Sequence, residues 1–206
     1  MGGPSHRGRA CWGTFLGMTR DQAAATEPQP NLDDLASALQ VTEGVVAGVR
    51  PEQAHLPTPC PEYDVSRLLD HLVGFATSFA DKANGVEPAA DPTATTAGDD
   101  PKAAYHDAAV RLIDGYRGDA SDDATPLGVV LMETVTHGWD LARATGQTTR
   151  YPEEAVEAAI VAGRGMMSPR FRGEGMPFGE EVEASSSAPA LDRLVAFMGR
   201  DPDWSA

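Results

Sequence analysis

From Pro126 to about Thr145 the sequence reads as one helix whose apolar stripe carries three ionisable side chains along its middle. Glu133 and His137 are four residues apart, a spacing that stacks two side chains on one helical face. Asp140 follows three residues later on the same face, with Val129, Val130, Leu141 and Ala144 as the apolar part of the stripe. Burying such groups without partners costs several kcal/mol. A chain with this stripe must therefore fold so that a second element faces it and compensates its charges. A divalent metal does so, because imidazole nitrogen and carboxylate oxygen are its ligands. An ordinary buried hydrogen-bond network does so as well.

The rest of the chain supplies the facing elements as helices. Asn31 is a good N-cap, with Asp33 and Asp34 in the first turn of a helix whose stripe runs from Leu32 to about Val49. Arg50 to Pro61 contains four prolines and excludes a regular helix. Asp64 or Ser66 caps the next helix, which presents Val65, Leu68, Leu72, Phe75 and Phe79, with His71 at the edge of that face. Gly85 to Asp100 has almost no large apolar group and reads as a long, mobile connection. Pro101 opens a third helix with Tyr105, Leu112 and Ile113 on its stripe, and Gly146 stops the fourth. Pro152 starts a fifth helix, and a short one follows around Leu191 to Met198. Between them, Phe171, Met176, Pro177 and Phe178 are expected to fold back onto the helices. No stretch alternates as a strand should, so the fold class is all-α, a four-helix bundle with additional short C-terminal helices. The domain division expected is a disordered or loosely ordered leader over residues 1–30 and a helical bundle with its C-terminal extension over 31–206.

Charge narrows the partners. With 31 acidic against 16 basic residues, the formal net charge is −15. That disfavours nucleic acid and anionic membrane surfaces. No apolar run is long enough to cross a bilayer. Two cysteines, Cys11 and Cys60, make no disulfide framework and fit a reducing cytoplasm.

A catalytic zinc site typically takes three protein ligands and keeps one position open. Two ligands from one helix and one from its neighbour satisfy that count, and His71, Glu133 and His137 are the candidates. Asp140, one turn beyond His137, is then either an acceptor that fixes a ligand histidine or a fourth ligand. Other chemistry-bearing residues read more plainly. Cys60, between two prolines, is expected as a small buried group rather than a reactive thiol. His55 and His106 have no partner at metal spacing, Asp70 points about 100° away from His71, and Trp139 falls off the Glu133/His137 face. Arg170 and Arg172 are expected in a solvated loop, with capture of a ligand carboxylate as the other reading. No residue stands out as a catalytic acid or base.

Four stretches together resemble a known family. They are Thr58-Pro-Cys-Pro61 leading into Asp64-Val65, Leu68-Leu-Asp-His-Leu-Val-Gly74, Glu133-Thr-Val-Thr-His-Gly-Trp-Asp-Leu-Ala142, and Leu194-Val-Ala-Phe-Met-Gly-Arg-Asp-Pro202. They resemble the DinB-like superfamily of metal-binding four-helix bundles, in its actinobacterial branch related to mycothiol-dependent maleylpyruvate isomerase. The resemblance implies metal ligation by His71, Glu133 and His137, with Zn²⁺ the expected ion and Ni²⁺ or Fe²⁺ the alternatives. It implies mycothiol as a cofactor and a thiol-dependent S-transfer or isomerisation of an electrophilic small molecule. The alternative is a non-catalytic, metal-binding or metal-stabilised bundle, such as a sensor or stress protein. The chain is expected as a monomer or homodimer.

Overall fold

The computed structural model describes residues 27–89, 91–167, 172–173 and 179–206. The stretch 1–26 of the expected leader lies outside these residues, as do Cys11, Arg170, Phe171, Met176, Pro177 and Phe178. The described residues form six α-helices and no strand longer than an isolated bridge, such as that between Pro57 and Asp64. They are α1 (Leu32–Ala47), α2 (Val65–Ala83), α3 (Pro101–Arg117), α4 (Leu127–Thr145), α5 (Glu153–Met166) and α6 (Ala190–Phe197). The expected all-α class is what the chain adopts.

Local chemistry sets the helix ends where the sequence places them. The Asn31 side chain accepts from the Asp34 amide, and Asp64 rather than Ser66 caps α2, accepting from the Arg67 amide at 2.9 Å. Pro101 occupies the first turn of α3 behind an Asp100 cap. Gly146 ends α4 in the left-handed region, at φ +70°, which a residue with a β-carbon adopts only at a cost.

Helices α1 and α2 each pack against both α3 and α4, so the first four helices close a ring around one core. Consecutive helices α1 and α2 face each other across it, as do α3 and α4. Helix α5 packs on the outer side of α4, and α6 on α5. This arrangement alters the expectation for α4. Its burial is no single stripe: Thr136, Gly138, Trp139 and Ala142 are buried as well as Val130, His137 and Leu141, because α5 covers the side that a four-helix bundle alone would leave in water. Val129, expected on the stripe, is only half-buried.

The connection between α2 and α3, expected to be mobile, is instead tied down. The Ala97 amide donates to Asp70 at 2.7 Å, Ala97 is buried, and a 3₁₀ turn at Pro92–Ala94 lies against α2. One hydrogen bond to a carboxylate and a small buried side chain anchor a segment that composition alone marks as loose. No helix among the described residues is long and apolar enough to cross a membrane.

Candidate metal centre

The first wall of the site is built before α2 begins. The Thr58 hydroxyl lies 2.8 Å from the carbonyl oxygens of both Cys60 and Tyr63, closing a turn stiffened by Pro59 and Pro61. That turn delivers Tyr63 to the mouth of the bundle and Asp64 to the cap of α2. His71 follows in the second turn of α2, where it points at α4. One helical turn of α4 separates Glu133 from His137, and both face α2.

The three side chains meet. His137 Nε2 is 3.3 Å from Glu133 Oε2, and His71 Nε2 is 3.7 Å from the same oxygen. One ligand atom from each residue lies within 4.8 Å of the other two. Donors bound to one Zn²⁺ at ~2.1 Å sit roughly 3–4 Å apart. The imidazole rings are 4.4 Å apart, nearly edge to face. Both nitrogens of His71 are buried and make no hydrogen bond. Buried polar atoms are nearly always satisfied, so an orphaned imidazole facing a carboxylate and a second imidazole fits a cation that would complete the set.

Asp140 sits behind His137 rather than in the cluster. Its Oδ2 is 3.0 Å from His137 Nδ1, on the far side of the ring from Glu133. A proton on Nδ1 then donates to Asp140 and leaves the Nε2 lone pair facing His71 and Glu133. Of the two roles open to Asp140, the geometry is that of the orienting acceptor. Arg200, just beyond α6, holds Asp140 in turn: Nη2 is 3.0 Å from Oδ2, Nε 3.3 Å from Oδ1, and Nη1 donates to the Met198 carbonyl at 2.7 Å. Asp140 is completely buried and Arg200 nearly so.

Electrostatics follow from these contacts. Burial alone would raise the Glu133 pKa, but His137 and His71 beside it hold its carboxyl well below the usual range. Burial would lower the His137 pKa, yet Asp140 and Glu133 on its two sides raise it to about 8. Burial dominates at His71, whose pKa falls despite Glu133. Burial would raise Asp140 too, but Arg200 and then His137 bring it below the ordinary value. The cluster thus favours one buried cation in the metal-free chain, carried as a proton on His137.

Rings flank the imidazoles. Phe75, one turn beyond His71 on α2, lies 4.3 Å from its ring. Tyr63, before the start of α2, lies 5.0 Å from the His71 ring and 6.3 Å from that of His137. On the Phe75 side, the cluster borders a cavity of about 20 Å³ lined by Phe79, Tyr105 and Leu112 among others. That is room for about one water molecule.

The remaining candidates fall elsewhere. Cys60 is buried, and burial pushes its thiol up to about 11, so it is an inert packing residue as expected. His55 is exposed near Asp64, and His106 pairs with Glu43 on the surface at 3.1 Å. Trp139 is buried under the Arg143 guanidinium. Arg172 donates to the Gly179 carbonyl and stacks over Phe197, which ties the chain to α6 rather than to the cluster. Sequence reasoning gave no role to Arg200 or Tyr63. Arg200 belongs to a stretch that carries the family resemblance, but it is 60 residues from its partner, and no periodicity reports such a contact.

Comparison with known proteins places the chain in a family. Residues 35–142 match the family described as the mycothiol maleylpyruvate isomerase N-terminal domain. Two similar proteins, both uncharacterised and from Mycobacterium tuberculosis (strains CDC 1551 / Oshkosh and ATCC 25618 / H37Rv), are each 34% identical over 166 residues. Each alignment covers 76% of this chain and 90% of the relative. No solved structure matches the chain. The matched segment runs from α1 through Asp140 on α4 and so contains His71, Glu133 and His137. The chain belongs to the mycothiol maleylpyruvate isomerase N-terminal domain family, a DinB-like family of helical bundles.

Proposed function

We propose that this chain binds one divalent metal ion through His71, Glu133 and His137 and uses it to activate a low-molecular-weight thiol against an electrophilic small molecule. The observation that carries the reading is the buried His71 imidazole, which has no hydrogen bond on either nitrogen and faces Glu133 and His137. Zn²⁺ is the ion proposed, since two imidazoles and one carboxylate with an open position suit it, with Ni²⁺ and Fe²⁺ as alternatives. A divalent ion at this site supplies a Lewis acid that lowers the pKa of a bound thiol. The chain's own residues do the rest. Asp140 and Arg200 hold His137 in the tautomer that ligates, and Glu133 contributes the negative charge that balances the cation. Mycothiol is the thiol proposed, on the strength of the family, and the reaction is S-transfer or isomerisation by addition of the thiolate to the electrophile. The reading implies a reducing cytoplasm, where such a thiol stays reduced.

Elemental analysis of untagged protein, purified without chelator, tests it. The expected result is about one equivalent of metal in the wild type and none in His71→Ala or His137→Ala. A folded wild-type protein that carries no metal and takes up none of Zn²⁺, Ni²⁺ or Fe²⁺ leaves a polar network in place of the centre and ends the proposal. Metal without any effect of thiols on turnover or spectrum selects the metal-stabilised, non-catalytic bundle instead.

A further inference from the structure

The metal reading leaves open what meets a ligand arriving at the centre, and the two flanks of the cluster differ in this respect. On the Phe75 flank lies the small cavity, lined by Phe75, Phe79 and Leu112 and by the three cluster residues themselves. The side chains of His71, Glu133 and His137 nonetheless keep 9%, 16% and 10% of their surface accessible, so a narrow face of the cluster reaches solvent. Tyr63 stands on the other flank, half-buried, with its ring against both imidazoles.

Tyr63 is also held unusually firmly for a residue outside a helix. Prolines 59 and 61 stiffen the turn, the Tyr63 amide donates to the Cys60 carbonyl at 3.0 Å, and the Thr58 hydroxyl binds the Tyr63 carbonyl. Its backbone is therefore preorganised, while its hydroxyl makes no hydrogen bond to any described residue. A phenol donor without a protein partner, on a ring packed against both imidazoles of a centre proposed to take a thiolate, has one evident use.

We propose that the Tyr63 hydroxyl is the hydrogen-bond donor to the anionic sulfur or oxygen of the ligand that occupies the open position of the His71/Glu133/His137 centre. Tyr63 is then a ligand-positioning residue, and Phe at this position keeps the wall but removes the donor. The proposal rests on the metal reading, and its test separates the two. The full chain, wild type and Tyr63→Phe, is loaded with Co²⁺ and titrated with N-acetylcysteine while the visible and near-ultraviolet bands of the ion are followed. The expected result is equal Co²⁺ stoichiometry in both proteins and about tenfold weaker binding of the thiol in Tyr63→Phe, the loss of about one hydrogen bond to a charged acceptor. Equal thiol affinity in the two proteins overturns the proposal and leaves the metal centre standing, as does a wild type whose bands ignore the thiol. Loss of Co²⁺ from Tyr63→Phe overturns it too, since the hydroxyl would then support the ion rather than its ligand. A wild type that takes up no Co²⁺ removes the metal reading itself.

Discussion

Arg200 and Asp140 illustrate at the scale of single residues how stability and ligation separate in this site. Removing one partner of a buried ion pair leaves the other charge uncompensated, which costs about 3–5 kcal/mol. Arg200→Met should therefore lower the urea midpoint sharply. The double variant Arg200→Met/Asp140→Leu removes both charges and should recover most of that loss. Metal affinity should not recover with it. Without Asp140, His137 has no acceptor on Nδ1, and loss of such a partner weakens metal binding by about 10–100-fold. Denaturation curves and metal competition titrations on the same two variants check both halves. A double variant with wild-type metal affinity would show that Asp140 does not orient His137.

At the scale of the element, α4 lies close against both α1 and the chain entering α5. Gly138, next to His137, is where that approach is tightest. A β-carbon there would stand 2.1 Å from the Tyr151 hydroxyl oxygen and 2.5 Å from the Thr42 hydroxyl oxygen, which are bonded to each other at 2.8 Å. Gly138→Ala should cost about 1–3 kcal/mol through this overpacking, even though alanine is the better helix former. Adding Tyr151→Phe to Gly138→Ala should recover part of the loss, measured by the same denaturation series, because the nearest clashing atom is gone. The cap of α2 sets a milder expectation. Asp64→Ala removes the acceptor for the Arg67 amide and should cost about 1 kcal/mol, readable as a shift in urea midpoint at unchanged slope.

For the whole molecule, metal, proton and stability are linked. With its pKa raised to about 8, His137 carries a proton at neutral pH in the metal-free chain. A histidine raised above its unfolded value of 6.5 stabilises the fold fully below that value, and the contribution is lost as pH rises through about 8. A metal must displace the same proton to bind. Metal affinity should therefore climb as pH rises toward about 8 and then level off, with about one proton released per ion near neutrality. Calorimetric titrations in buffers of different ionisation enthalpy measure that release. Removing the ion should lower Tm more at about pH 9 than at about pH 7, because the compensating proton is also gone. Helix boundaries and fold class were determined by the sequence itself, because caps, prolines and apolar periodicity act over one or two turns: Asn31, Asp64, Pro101 and Gly146 mark ends that no distant contact is needed to explain. The pairing of Glu133 with His137 was legible for the same reason. The convergence of His71 on that pair, the anchoring of Ala97 by Asp70, the covering of α4 by α5, and the hold of Arg200 on Asp140 were decided only by tertiary structure. Each joins residues far apart in the chain, and the energy that selects them, removal of charge and apolar surface from water, exists only once the helices have packed.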